Sequence, residues 1–205
     1  MTKSREKFML FFMGVLCFFI TQILLRLPLL SILQKNLQWN QWTFAYPFIF
    51  TLIVAFSAGF FEEGGRFLFR KFLLRAPGEN QGYFHFSDRW ECPLIFGLGH
   101  GICELVFLLQ LSQAINPIFH LDFLGERIIA LVFHIGMSFL IFQGCSHNQG
   151  GRAFLLAFFL HGFFDSLIFF LSWSYLAVYG LWILVDLLIV NRILATRKDA
   201  YNEKN

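Results

Sequence analysis

Long runs of apolar residues, separated by short polar segments, constrain this chain more than any other feature. The first uncharged run covers residues 8–25, and further runs follow along the whole chain. A helix needs about 20 mostly apolar residues to span a bilayer. Hydrophobic residues make up 57% of the 205 residues and charged residues only 14%, a composition typical of integral membrane proteins. We therefore predict one all-α membrane domain over residues 1–205, a polytopic bundle of about six transmembrane helices.

The polar segments place the six predicted spans at residues 8–25, 42–61, 93–113, 128–142, 153–171 and 176–190. The second helix is expected to continue to residue 75, because no proline intervenes before Pro77. In this arrangement thirteen of the sixteen Lys and Arg residues lie on one side, and the other three are Arg26, Lys35 and Arg127. Because basic residues concentrate on the cytoplasmic side, we predict cytoplasmic termini and a location in the plasma membrane.

The net charge of +3 is accounted for by this membrane topology, since the basic residues fall at the ends of apolar runs. Membrane lipid is therefore the expected partner of the basic residues, and nucleic acid is not.

Ionisable side chains inside the apolar runs are the second informative feature. A charged group at membrane depth costs about 2.5–3.5 kcal/mol on insertion scales, so such groups usually face one another or a polar cavity. Most of them here are three or four residues from another ionisable group, a spacing that puts both on one helix face. Four predicted helices bring them to a similar depth in the cytoplasmic half, so we predict one site within residues 60–165. Its members would be Glu62, Glu63, Arg66, His100, Glu104, His134, His161 and Asp165.

Two chemistries suit these residues. In the first, one of Glu62 and Glu63 takes a proton from water as a general base, and histidines positioned by carboxylates stabilise an oxyanion without any cofactor. In the second, His100, His134 and His161 are candidate ligands of a catalytic zinc ion that also binds water. The spacing of the residues serves both equally well.

Other polar and small residues receive structural interpretations. Asp186 has no nearby partner in the sequence and is predicted to be structural. Histidines 85, 120 and 147 are predicted to lie in solvated loops. Glycines flank the predicted site residues and are expected to let helix backbones approach closely; they are Gly64, Gly65, Gly97, Gly99 and Gly101.

The motifs resemble those of the YhfC-like intramembrane proteases. That family lies in a wider clan with the CAAX-processing and bacteriocin-processing (CPBP, Abi) proteins and the PrsW proteases. The resemblance is carried by Glu62-Glu63-x-x-Arg66, by Gly99-His100-Gly101-x-x-Glu104, by Glu126-Arg127 before His134, and by His161-x-x-x-Asp165.

The resemblance implies a membrane endopeptidase in which Glu62 activates the water and Glu63 supports it. His100 and His161 would bind the water and the developing oxyanion, and Asp165 would hold His161. It leaves open whether the enzyme depends on a metal or on glutamate alone.

The leading hypothesis is hydrolysis of a peptide bond in a membrane-embedded or membrane-proximal peptide or protein. A non-catalytic membrane immunity or scaffold protein, which binds a partner through the same polar groups, is the alternative. A proton-coupled transporter or channel would also need intramembrane carboxylates, but the chain is small and its predicted outer half lacks polar groups.

Overall fold

The first apolar run forms one continuous helical rod in the computed structural model, which describes residues 3–75, 83–86, 90–115, 121–170 and 174–202. The rod begins with α1 (Lys3–Phe18), passes through a π-helical segment (Phe19–Arg26) and ends with α2 (Leu27–Gln34). It extends beyond the predicted span 8–25 at both ends. A π-helical segment changes which side chains face inward, and such segments are frequent at functional sites.

The second predicted span is divided by Pro47. Helix α3 (Leu37–Ala45) is capped by Asn36, which accepts a hydrogen bond from the backbone N–H of Trp39 at 3.1 Å. Helix α4 (Pro47–Leu68) then begins with the proline in its first turn, where the missing N–H is not needed. It continues as a π-helical segment (Phe69–Leu73), which confirms the prediction that the helix runs past the glutamates.

A short parallel pair of strands follows, β1 (Leu74–Arg75) and β2 (Phe84–His85). The sequence predicted a loop at residues 76–91. His85 belongs to β2 and is exposed, while residues 76–82 and 87–89 of that loop lie outside the described residues.

The remaining helices are α5 (Glu91–Ile115), α6 (Leu121–Ser146), α7 (Gly150–Ser166), which ends in a 3-10 turn (Leu167–Phe170), and α8 (Tyr175–Asn202). Two predicted boundaries were wrong. Residues 121–127 were assigned to a connection but begin α6, and residues 191–202 were expected to be frayed but belong to α8. His120 lies outside the described residues, and His147 is exposed in the tight turn between α6 and α7.

The all-α membrane architecture is confirmed. Among the described residues, five helical segments are long and apolar enough to cross a bilayer: Lys3–Gln34, Pro47–Leu73, Glu91–Leu111, Phe123–Ser146 and Tyr175–Ala195. Helix α7 has only 17 residues, but at 1.5 Å per residue it extends for about 25 Å. It packs against α4 and α6 and corresponds to the fifth predicted span, at residues 153–171.

Helix packing places α5 next to α1 and α6, and α4 next to α7. The core between them includes Leu10, Phe96, Met137, Ile141 and Ala157. Helix α8 lies at the side of this bundle, on α6 and the 3-10 turn, where Val178 and Trp182 join Phe164 in a smaller cluster.

Glycines allow neighbouring helices to approach closely around the predicted site residues. The sequence predicted this for five glycines, and the structure shows it at four of them. A β-carbon on Gly99 would overlap the carbonyl of Phe11 in α1, and one on Gly97 would lie 2.7 Å from the α-carbon of Ile135 in α6. Gly65 and Gly101 are similarly tight. Gly64 differs, because the nearest atom to its β-carbon would be 3.8 Å away.

Substitution of Gly99 by Val should separate α1 from α5 and destabilise the bundle. Overpacking of this kind costs about 1–3 kcal/mol, so the detergent-solubilised protein should unfold at a temperature several degrees lower. Gly180→Ala is the matched control, since no atom lies within 4 Å of its β-carbon position and alanine favours helix. Equal unfolding temperatures of the two variants would contradict this packing.

Candidate active site

The carboxylate of Glu62 on α4 is held by two other helices. Its Oε1 accepts a hydrogen bond from Nε2 of Gln22 at 2.6 Å, and its Oε2 lies 2.9 Å from Nε2 of His100 on α5. The residue is only 4% exposed. Both carboxylate oxygens therefore have protein partners inside the bundle, which fixes the position of the group.

The neighbouring Glu63 pairs with Arg66 and with His161 on α7. Its Oε1 accepts a hydrogen bond from Nη1 of Arg66 and lies 2.7 Å from Nδ1 of His161. Glu62 and Arg66 are four residues apart, a spacing that favours a salt bridge on a helix face, but this contact is looser, at 3.8 Å. Because an unpaired buried charge is costly, the close pairing of Glu63 with Arg66 is what allows both to have no exposed surface.

Hydrogen bonding fixes the tautomer of His134 on α6. Nη2 of Arg66 lies 2.7 Å from Nδ1 of His134, and because a guanidinium can only donate, this nitrogen must accept. The ring proton is then on Nε2, which contacts Oε2 of Glu104. Glu104 also accepts a hydrogen bond from Nη1 of Arg127 at 2.7 Å. A chain of polar contacts thus joins Arg66 to Arg127 and involves three helices, α4, α5 and α6.

His161 has one ring nitrogen available for chemistry. Its Nδ1 is engaged by Glu63, so Nε2 faces inward, 3.9 Å from Oε1 of Glu62 and 3.6 Å from Oδ2 of Asp165. Polar atoms at such separations are often joined by a water molecule. These three side chains therefore outline a place for water.

A cavity with about 50 Å³ of interior space adjoins His134 and His161. One water needs about 10–15 Å³ by this measure, so roughly three would fit. The wall of the cavity also includes Asp165, Trp182 and Asp186. The sequence assigned Asp186 a structural role at the membrane edge, whereas the structure buries it in this wall.

Three of these residues fit a divalent cation. Glu62, His134 and His161 each offer a ligand atom, and these atoms lie within 4.8 Å of one another. Two histidines with a carboxylate form a known donor set of catalytic zinc sites, and metal-bound histidines commonly give their other nitrogen to a carboxylate, as His161 does to Glu63. Both nitrogens of His134 have partners, so a bound cation would replace one of those contacts.

The sequence predicted His100 as a ligand together with the other two histidines. In the structure Glu62 takes that place in the group, because Nε2 of His100 is engaged by Oε2 of Glu62. Nδ1 of His100 is buried and has no hydrogen-bond partner among the described residues.

The structure brings all the predicted site residues into one connected set, although the pairs differ from those expected. His100 contacts Glu62 on another helix, and Glu104 contacts His134, instead of the two residues pairing along α5. Glu63 approaches His161 more closely than Asp165 does. The set comprises Glu62, Glu63, Arg66, His100, Glu104, His134, His161 and Asp165.

Sequence reasoning missed Gln22 and Arg26 of the π-helical segment. Arg26 donates to Oε1 of Gln22 at 3.0 Å and is itself held by Oγ of Ser57 and the carbonyl of Val54. This orients the Gln22 amide so that its N–H group faces Glu62. The one signal available was a polar Thr-Gln pair inside the first apolar run.

Comparison with known proteins gives one match. The model of the family described as YhfC intramembrane metalloprotease matches residues 2–124, more than half of the chain. This region includes Gln22, the Glu62 to Arg66 motif and the His100 to Glu104 motif, and it ends before His134. No curated protein and no solved structure matches the chain.

Substitution of Gln22 by Leu should weaken metal binding by removing the hydrogen bond that holds Glu62. Loss of such a supporting contact typically lowers metal affinity about 10–100-fold, which can be measured by calorimetric titration of the purified protein with Zn²⁺. Thr21→Val is the matched control, because among the described residues Thr21 Oγ1 bonds only to the carbonyl of Cys17 in its own helix. Unchanged affinity in the Gln22 variant would show that this contact does not support the site.

Proposed function

The chain belongs to the YhfC intramembrane metalloprotease family, and on this premise we propose that it hydrolyses a peptide bond in a membrane-embedded or membrane-proximal peptide or protein. The observation that carries the proposal is the arrangement at Glu62. A buried carboxylate, fixed at both oxygens, lies 3.9 Å from the inward-facing nitrogen of His161, and His161 lines a cavity large enough for water.

In the proposed reaction a water molecule lies between Oε1 of Glu62 and Nε2 of His161. Glu62 takes a proton from the water as the oxygen attacks the substrate carbonyl carbon. The carbon–nitrogen bond then breaks, and the proton passes to the leaving nitrogen. Glu63 keeps His161 in place through Nδ1.

Arg66 supports the reaction centre from within the bundle and does not line the cavity. Arg66 is fully buried and contacts Glu63 and His134, so its charge is fixed before the reaction begins. Glu104 holds His134 from the other side. His100 positions Glu62, and Asp165 stands on the open side of His161.

A zinc ion, if bound, would be held by Glu62, His134 and His161, and would polarise the substrate carbonyl and make its own water more acidic. In that form Glu62 is a ligand, whereas in the metal-free form it is the general base. The activity of the protein after its metal has been removed therefore distinguishes the two mechanisms.

The basic residues support the orientation that we propose, with both termini in the cytoplasm and the protein in the plasma membrane. Lys3 and Lys7 begin α1, Arg70 lies near the end of the span Pro47–Leu73, and Arg152 near the start of α7. Arg192 lies near the end of the span Tyr175–Ala195 and lines one pocket with Arg152. Glu62 and His100 then lie nearer the cytoplasmic side, and His134 lies halfway along α6.

Substitution of Glu62 by Gln should abolish cleavage while the protein still inserts and folds. Loss of the group that receives the proton should lower the rate at least 100-fold, measured in proteoliposomes with a library of quenched fluorescent transmembrane peptides. Glu91→Gln makes the same change at a carboxylate that pairs with Lys3 and Lys7 far from the site, and it should cleave like the parent. Cleavage by the Glu62 variant at the parental rate would refute the role of Glu62, and absence of cleavage by the parent would refute the proposed hydrolysis. Binding of a library peptide without any cleaved product would favour the immunity or scaffold alternative.

Chelation should inactivate the enzyme if Glu62, His134 and His161 hold a metal, and Zn²⁺ should restore activity. The measurement is the metal content of the purified protein, together with its activity before and after dialysis against a chelator. His161→Ala should lose the bound metal. Full activity of demonstrably metal-free protein would instead support Glu62 as the general base.

A further inference from the structure

We propose that Trp182 and Asp186, on α8, bind the backbone of an extended substrate peptide. Trp182 donates its indole N–H to a peptide carbonyl oxygen, and Asp186 accepts a hydrogen bond from a peptide N–H. This inference deepens the proposed function and rests on it, because it assigns a substrate-binding role to the wall opposite the histidines.

Trp182 is a buried hydrogen-bond donor without a partner. The residue is 8% exposed, and its Nε1 makes no hydrogen bond to any described residue. Its ring is firmly placed, with centroids 6.4 Å from Phe164 and 5.7 Å from Tyr179. A buried tryptophan N–H usually finds a partner, so the open position points to a group that arrives from outside the chain.

Asp186 presents a matching acceptor one turn further along the same helix. It is also 8% exposed, and no hydrogen bond or ion pair joins it to the described part of the chain. A buried carboxylate without a partner is costly. Residues four apart share a helix face, and Trp182 and Asp186 line the same cavity as His134 and His161.

A peptide backbone is the ligand that fits one hydrogen-bond donor and one acceptor in the wall of a cavity within the membrane. Inside a membrane each unpaired backbone N–H or C=O costs several kcal/mol, and a peptide bond leaves its helical hydrogen bonds when it is presented for cleavage. An extended peptide presents both N–H and C=O groups along its edges. A peptide that enters this cavity along α8 would offer a C=O to Trp182 and an N–H to Asp186, and His161 lines the same cavity.

The first test is the stability of the protein without any ligand. Asp186→Leu removes an unpartnered charge at similar size, so the unfolding temperature in detergent should rise by about 2–4 °C or more. If Asp186 instead stabilised the fold, the same substitution would lower the unfolding temperature. A fall in the unfolding temperature would overturn the proposal.

The second test is peptide binding in the Glu62→Gln background, with the library peptide that this protein binds most tightly as the probe, whether or not the parent cleaves it. Trp182→Phe and Asp186→Leu should each raise the Kd about 10-fold or more, since each loses one hydrogen bond in a dry site. Asp186→Asn keeps an acceptor oxygen and should retain part of the affinity. Trp42→Phe, the same change on α3, should bind like the Glu62→Gln protein.

The outcomes separate this inference from the proposed function. If the parent cleaves no library peptide, the proposed function fails, while weaker binding by the α8 variants continues to support the peptide site. If Glu62→Gln is inactive but Trp182→Phe and Asp186→Leu bind the probe normally, the α8 site is refuted and the proposed function stands. Absence of binding by every library peptide would also refute the α8 site.

Discussion

The pairing of Arg66 with Glu63 is the interaction on which the rest of the site depends. A guanidinium with no exposed surface, in a helix that spans the membrane, is tolerated only if other groups compensate its charge. Glu63 supplies the counter-charge, and the second arm of Arg66 contacts His134 on α6. Glu63 in turn engages His161 on α7. One buried positive charge therefore determines how three helices must meet.

Much of this could be predicted from the sequence, because the controlling physics is local. Apolar runs of about 20 residues give membrane helices, and ionisable groups inside them must find one another, so the convergence of Glu62, His100, His134 and His161 was accessible. Which of these side chains pair with one another could not be predicted. Spacing places His100 and Glu104 on one face of α5, but it cannot say which neighbouring helix each will meet, and each bonds across the bundle.

The features that the sequence did not predict share a cause: each polar side chain has its partners or neighbours on another helix. Arg127 was assigned to the connection before the fourth span, yet it lies within α6, where Glu104 and Glu126 neutralise it. Gln22 is an uncharged residue in an apolar run and does not stand out, and the π-helical segment that carries it has no clear sequence signature. Asp186 has no ionisable neighbour along the chain, and only the folding of α8 against α6 places it beside the cavity of His134 and His161.

The polar network draws its members from the first helix to the seventh, from Gln22 to Asp165. A nascent chain that has inserted only its first four helices carries Glu62 and Glu63 but neither His134 nor His161. Its carboxylates and imidazoles are therefore not yet assembled. The order of synthesis therefore keeps the polar network incomplete during biosynthesis, until the helix that supplies His161 has left the ribosome and joined its neighbours.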